Sequence, residues 1–277
     1  MGRNSFALVH DLATLAGYSA RGGRPEDQDC LGCDVVNGAV VLTVCDGMGG
    51  HAGGCVASET AVQSIVQTYG RLAATLSVPE AIKAALTEAN SAIFTRSQAE
   101  PSLRGMGTTV TMLVVDAKAA YVTHVGDSRV YQLRGGKKIF RTFDDSMVFE
   151  QVAKGKMTEE EARQHPRSNV LSKALGVIPD VEVRVNKLSY RKGDRFVLCC
   201  DGVWNTQPEP DIIKMLSQQP TPAETTELVH TTVDNLGLAE GGPYDNHTII
   251  VADMLKPSAY RKTLVRKIAA FFARKKS

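Results

Sequence analysis

Four aspartates sit beside glycine or asparagine where apolar, β-branched runs begin or end. They are Asp46 in Asp46-Gly47-Met48-Gly49-Gly50-His51, Asp127 in Gly126-Asp127-Ser128-Arg129, Asp201 in Cys200-Asp201-Gly202, and Asp245 in Tyr244-Asp245-Asn246. The runs Val40 to Cys45, Tyr121 to Val125, Phe196 to Cys200 and Thr248 to Val251 read as strands, so these carboxylates should project from rigid strand termini. Carboxylates gathered in that way repel one another, and a hard divalent cation neutralises them. Ligation by oxygen alone points to Mg²⁺ or Mn²⁺ rather than zinc. One Asp-Gly is an ordinary turn; four strand-terminal aspartates in one chain make a metal site the better explanation.

The elements that must position these residues are mixed. Val35 to Val40 carries Asn37-Gly38 between β-formers, and Gly135-Gly136 separates the runs Val130 to Leu133 and Lys138 to Phe143; both are hairpin signals. Residues 107–115 and 119–125 add two strands joined by a brief Asp-Ala-Lys turn. Val56, Ala57, Ala61, Val62, Ile65, Val66 and Tyr69 recur at helical spacing, as do Ala81, Ile82, Ala85, Leu86, Ala89 and Ile93. The second run opens with Ser77-Val-Pro-Glu80, a capping box with proline inside it, and further boxes open at Thr158 and Thr221. Hairpins in series and helices in pairs predict an α+β layered domain rather than a parallel βαβ sheet.

Composition sets outer limits. With 277 residues, 43% hydrophobic and 22% charged, the chain can bury one large core and is not disordered throughout. It has no apolar run long enough to span a bilayer and no secretory leader pattern, which predicts a cytoplasmic protein. The cysteines at 30, 33, 45, 55, 199 and 200 lack the spacing of a zinc ribbon, and we read them as free thiols of a reducing compartment.

Taken in order, seven segments resemble the metal-dependent protein phosphatases of the protein phosphatase 2C type in their bacterial form. They are Arg24-Pro-Glu-Asp-Gln28-Asp29, the block 46–51, Gly105-Met-Gly-Thr-Thr109, Val125-Gly-Asp-Ser-Arg129, His165 to Gly176, Cys200-Asp-Gly-Val-Trp204, and Asp245-Asn246-His-Thr248. The resemblance spans about residues 10–255 and implies an α-β-β-α sandwich, two antiparallel sheets flanked by helices, with metals at one end. It also implies a serine/threonine protein phosphatase that hydrolyses phosphoserine and phosphothreonine through a hydroxide shared by two Mg²⁺ or Mn²⁺ ions, with a third ion in the bacterial form.

Roles follow residue by residue from that resemblance. Asp46 matches the metal-bridging aspartate, and Gly47, lacking a side chain, lets its carbonyl approach a second ion. Asp201 and Asp245 complete the first metal, while Asp127 with Asp201 forms the third. Asp29 orients metal-bound water or ligates directly. Arg24 matches the phosphate-binding arginine, and its forked guanidinium suits two phosphate oxygens. Outside the motif context, Asp127 would read as a turn residue and Arg24 as a solvated loop side chain.

Departures are local. Asp27-Gln28 replaces an amide and an acid, and Asp145 stands where a histidine is more usual. Met48 occupies the position of the general-acid histidine of eukaryotic members, leaving His51 as the nearest candidate proton donor, with a packing or helix-start role equally open. The other five histidines read as structural. The segment Ser146 to Pro179 matches the flap beside the cleft, and its basic residues at 154, 156, 163 and 167 suit an acidic or phosphorylated surface or simply solvent.

The chain therefore divides into a catalytic domain, 1–255, and a tail, 256–277. The tail carries eight Lys or Arg and no acid, leaving 24 basic and 30 acidic residues before it, a net of −6. Leu264, Val265, Ile268, Phe271 and Phe272 share one helical face there. That pattern fits a peripheral contact with anionic lipid or an acidic partner, or a helix laid on the domain's own surface. An acidic core argues against nucleic acid. We expect a monomer acting on substrates of a serine/threonine kinase; the alternative is a non-catalytic phosphoprotein-binding module of the same fold.

Overall fold

The computed structural model describes residues 3–50 and 53–260. His51 and the apolar face predicted for the tail lie outside the described residues.

The Asn37-Gly38 signal produces a tight hairpin. Asn37 and Gly38 both take positive φ, 51° and 76°, as a two-residue turn of this twist requires, and they join β3 (Asp29–Val36) to β4 (Ala39–Met48). Gly135 and Gly136 join β8 (Arg129–Arg134) to β9 (Lys137–Arg141) in the same manner. The remaining strands are β1 (Arg3–Val9), β2 (Ala13–Ala20), β5 (Gly107–Thr108), β6 (Val110–Val115), β7 (Ala120–Val125), β10 (Asn186–Leu188), β11 (Arg195–Cys199) and β12 (His247–Met254).

Two antiparallel sheets result. One runs β1-β2-β12-β11-β8-β9, the other β10-β7-β6-β4-β3, with the short β5 paired to the end of β4. The periodic runs become long helices. α1 (Gly53–Leu72) and α2 (Val78–Ala99) pack on the second sheet through Ala57, Ile65, Ile82, Leu86 and Ile93. At the start of α2, the Glu80 carboxylate accepts the Ser77 N–H at 3.0 Å, as the capping-box pattern predicts. α6 (Glu209–Gln218) and α7 (Pro222–Glu240) cover the first sheet through Ile212, Leu216, Val229 and Val233. Between the sheets, Leu42, Val44, Leu113, Val122, Phe196, Leu198 and Ile250 form a third apolar layer. Each such side chain contributes about 1.5–3 kcal/mol when fully buried. The architecture is the α-β-β-α sandwich that the resemblance implied.

Three short α-helices, α3 (Met147–Ala153), α4 (Glu159–Arg163) and α5 (Asp201–Trp204), and a 3₁₀ turn at Pro101–Leu103 complete the described elements. The first two lie in the flap, residues 146–179. Residues 256–260 continue from β12 and are fastened to the body: Ser258 Oγ accepts the Tyr190 N–H at 2.9 Å, and the Tyr260 N–H donates to the Lys118 carbonyl.

Candidate metal centre

Antiparallel pairing places Asp29, the first residue of β3, directly opposite Asp46 near the end of β4. Two like charges across a ladder are unfavourable, and three more carboxylates converge on them. Asp201 begins α5 immediately after β11, Asp245 precedes β12, and Asp127 lies in the turn after β7. Asp29 and Asp127 are buried, whereas Asp46, Asp201 and Asp245 are half-buried and open toward a cleft.

The electrostatics record the crowding. Desolvation, followed by repulsion from Asp29, Asp201, Asp127 and Asp245, pushes the Asp46 carboxyl well above the usual carboxylate range. Burial raises Asp29 to about 8, and burial with the nearby Asp245 raises Asp201 to about 6. Asp127 is driven up by burial and by Asp201. Both Asp29 oxygens are buried without a hydrogen-bond partner among the described residues. Buried acceptors are rarely left so. An oxygen-rich cluster with orphaned acceptors and mutual repulsion fits a set of divalent cations, whose charge would reverse each of these shifts.

The backbone around the cluster is built to tight tolerance. A Cβ on Gly47 would stand 2.0 Å from the Gly54 carbonyl oxygen and 2.6 Å from that of Gln28. The position therefore admits only glycine, and the Gly47 N–H donates to the Gln28 carbonyl at 3.1 Å. Gly202 meets the Asn246 carbonyl in the same way, with 1.9 Å available to a Cβ. The Gly105 to Thr109 motif, for which the sequence suggested no role, clamps Asp46. Thr109 Oγ1 accepts the Asp46 N–H at 3.0 Å, while the Thr109 N–H and the Thr108 hydroxyl both donate to the Asp46 carbonyl at 2.8 Å. Thr109 in turn hydrogen-bonds Ser128 at 2.8 Å, joining Asp46 to the Asp127 turn.

Asn246 organises the opposite rim. Its side-chain N–H groups donate to the carbonyls of Arg21 (2.7 Å) and Glu26 (2.9 Å), and its oxygen accepts the Gln28 N–H at 2.9 Å. That loop presents Arg24, whose Nη2 lies 3.0 Å from Asp245 Oδ2, with both side chains about half exposed. The Asp127 turn is held from below: Trp204 Nε1 donates to the Asp127 carbonyl at 3.0 Å, and the Arg129 guanidinium stacks 3.4 Å from the Trp204 ring centre. Arg129 also makes a two-pronged contact with buried Asp144, at 2.9 and 2.7 Å. Sequence reasoning assigned no role to Asn246, Arg129, Asp144 or Trp204. The only signal for Asn246, Arg129 and Trp204 was their place inside the quoted segments, and Asp144 lies outside them, next to Asp145.

Asp29, Asp46, Gly47, Asp127, Asp201 and Asp245, with Arg24 beside them, thus come together at one end of the sandwich. Cys200 joins the cluster, its sulfur accepting the Thr248 N–H at 3.1 Å, and all six cysteines are free, with three buried and three half-buried. A cleft of about 320 Å³ over Asp201 and Asp245 is walled by Arg163 of the flap, Asn205, Glu240 and Tyr244. Asp145, where a histidine was the more usual residue, pins the flap. Its N–H donates to the Gly126 carbonyl at 2.8 Å, and its carbonyl accepts the Ser172 N–H at 2.9 Å.

Comparison with known proteins agrees with this geometry. A family model described as protein phosphatase 2C matches residues 16–240. The chain belongs to that family. It is 37% identical over 243 residues to the serine/threonine protein phosphatase PstP of Mycobacterium tuberculosis, covering 86% of this chain and 45% of the relative. It thus spans about half the length of that curated relative. Identity to the serine/threonine phosphatase stp of Listeria monocytogenes is 33% over 216 residues, or 77% of this chain and 84% of the relative. A crystal structure of the M. tuberculosis phosphatase superposes with a TM-score of 0.75 at 33% identity, covering 88% of this chain and 99% of that one. A structure of the PstP catalytic domain in complex with two manganese ions has a TM-score of 0.70 at 33% identity, with the same coverage.

Proposed function

We propose that this protein is a Mg²⁺- or Mn²⁺-dependent serine/threonine protein phosphatase. The observation that carries the proposal is the five-carboxylate cluster with unpartnered Asp29 oxygens, opening on a cleft beside Arg24. The relatives' names and the manganese complex of one of them support it. When bound, the cations would supply an activated water and neutralise charge on the phosphoryl group. Asp46, Asp201, Asp245 and the Gly47 carbonyl would hold the tight pair, and Asp127 with Asp201 a third ion. Asp29 would accept hydrogen bonds from water beneath them. Arg24 reaches the Asp245 carboxylate, and from there its guanidinium fork would bind two phosphate oxygens of a substrate.

The substrates are then phosphoserine and phosphothreonine proteins, made by a serine/threonine kinase. Exposed Phe143, Met147, Val170, Val177 and Ile178 give the flap region an apolar surface to meet a polypeptide. We also propose a cytoplasmic monomer whose basic tail touches anionic lipid. The tail's composition supports this, and no described helix is long and apolar enough to cross a membrane. Deleting residues 261–277 should abolish binding to phosphatidylserine vesicles; unchanged binding refutes the lipid contact.

Phosphate release from a phosphothreonine peptide tests the activity. It should vanish on chelation, return with Mn²⁺, and fall by orders of magnitude in Asp46→Asn. Full release in EDTA would overturn the assignment.

A further inference from the structure

Away from the carboxylate cluster, two histidines that the sequence reading treated as structural meet across the outer layer. His230 and Asp234 stand one turn apart on α7, and His247 opens β12. Their donor atoms all lie within 4.8 Å of one another. We propose that His230, Asp234 and His247 form a second metal site, for a borderline transition ion of the Zn²⁺ class.

The spacing suits the ion. Asp234 Oδ1 is 3.1 Å from His247 Nε2, a hydrogen-bond distance that a bound ion would take over, and Asp234 Oδ2 is 3.7 Å from His230 Nε2. Bonds of about 2.0 Å in a tetrahedron place donor atoms roughly 3.3 Å apart, between these two values. Two imidazoles and one carboxylate, with a fourth position left for water, select Zn²⁺ or Co²⁺ over Mg²⁺. The donor set therefore differs in kind from the carboxylate cluster.

The surrounding groups are arranged as a metal's outer contacts are. His247 is fully buried, and its Nδ1 lies 3.0 Å from the Tyr18 hydroxyl, a bond that lets Nε2 present its lone pair toward Asp234. Tyr244 donates its hydroxyl to Asp234 Oδ1 at 3.0 Å. The two imidazole planes are nearly parallel, 23° apart, with centres 5.3 Å from each other.

His230 supplies an independent sign. Its Nε2 is beyond hydrogen-bond range of Asp234, and its Nδ1 is buried without a partner among the described residues. A cation would give Nε2 the partner that Asp234 is too far away to be, while Nδ1 would carry the ring proton. Its side chain and that of Asp234 are 22% and 25% exposed, which leaves an entry path. The site would fasten α7 to the strand that begins two residues after Asp245.

Co²⁺ titration of the full chain, followed by visible absorption, separates this site from the carboxylates, because tetrahedral nitrogen-containing coordination absorbs far more strongly than octahedral oxygen coordination. The wild type should show one strongly absorbing equivalent that Zn²⁺ displaces. Asp46→Asn should retain that equivalent, whereas His230→Ala and Asp234→Asn, each checked for folding by circular dichroism, should lose it. Absence of the signal in the wild type, or its persistence in both variants, reduces the three residues to a hydrogen-bond network and overturns the proposal.

Discussion

The carboxylate end of the sandwich and the flap that borders it are built on opposite principles. At the first, side chains that repel are fixed by strand register, by glycines that leave no room for a Cβ, and by hydrogen bonds to the Asp46 backbone from Thr108 and Thr109. The fold holds charge in an arrangement that is unfavourable without a counterion. The flap has two short helices and few strand pairings, namely isolated bridges at Thr108–Leu175 and Ser146–Leu171. Polar pins hold it instead. Buried Asn90 of α2 donates to the carbonyls of Ile178 and Pro179 and accepts the Gly176 N–H at 2.8 Å. On the proposed function, rigid preorganisation would serve chemistry that is the same for every phosphomonoester, and looser pinning would serve recognition of varied polypeptides.

The contrast breaks if changes at the two regions have the same consequences. The largest effect is expected at Asp127. Asp127→Ala should keep tight binding of two Mn²⁺ by calorimetry yet lose most turnover, with no recovery at any Mn²⁺ concentration; wild-type rates at saturating metal would return Asp127 to the status of a turn residue. Next, Gly202→Ala should cost about 3 kcal/mol or more in urea unfolding, because the new methyl group meets the Asn246 carbonyl. A loss below about 1 kcal/mol would show that the rim is not tightly packed.

Asn90→Ala should destabilise by about 2 kcal/mol through the carbonyls and N–H it leaves unpaired. Because it acts on the flap, kcat/KM should drop for a phosphopeptide and stay near wild type for a small aryl phosphate. Equal losses on both substrates would mean that the flap also shapes the metal centre. The smallest effect is expected at the exposed Arg24. Arg24→Ala should raise KM about tenfold with a smaller change in kcat, as removal of a ground-state charge contact predicts. An unchanged KM would leave the guanidinium as Asp245's partner alone.

The legibility of the two regions in the sequence differs for the same reason. Strand-terminal aspartates, the Asn37-Gly38 turn and the periodic runs of α1 and α2 carry local signals, and each element formed where its pattern placed it. Asn246 could be read only as a neighbour of Asp245, since nothing local marks a side chain that bonds the backbone of Gln28, 218 residues away. Arg129 and Asp144 become a buried pair only once β8 and the chain after β9 fold back together. His230 and His247 looked structural because their relation exists only between a helix and a strand. Glycine offers the converse case: Gly47 and Gly202 were visible as letters, but the clash that excludes a side chain appears only when Gln28, Gly54 and Asn246 are in place.

The central claim is that the fold holds repelling carboxylates for cations to neutralise. Thermal unfolding of the wild type and Asp46→Asn, in EDTA and in Mn²⁺, tests it without any substrate. Removing one charge relieves repulsion in the metal-free protein, so Asp46→Asn should melt above the wild type in EDTA. Mn²⁺ should raise the wild-type Tm by mass action and reverse the order, leaving the variant below it. A wild-type Tm that does not respond to Mn²⁺, or a variant less stable than the wild type in EDTA, would contradict the account.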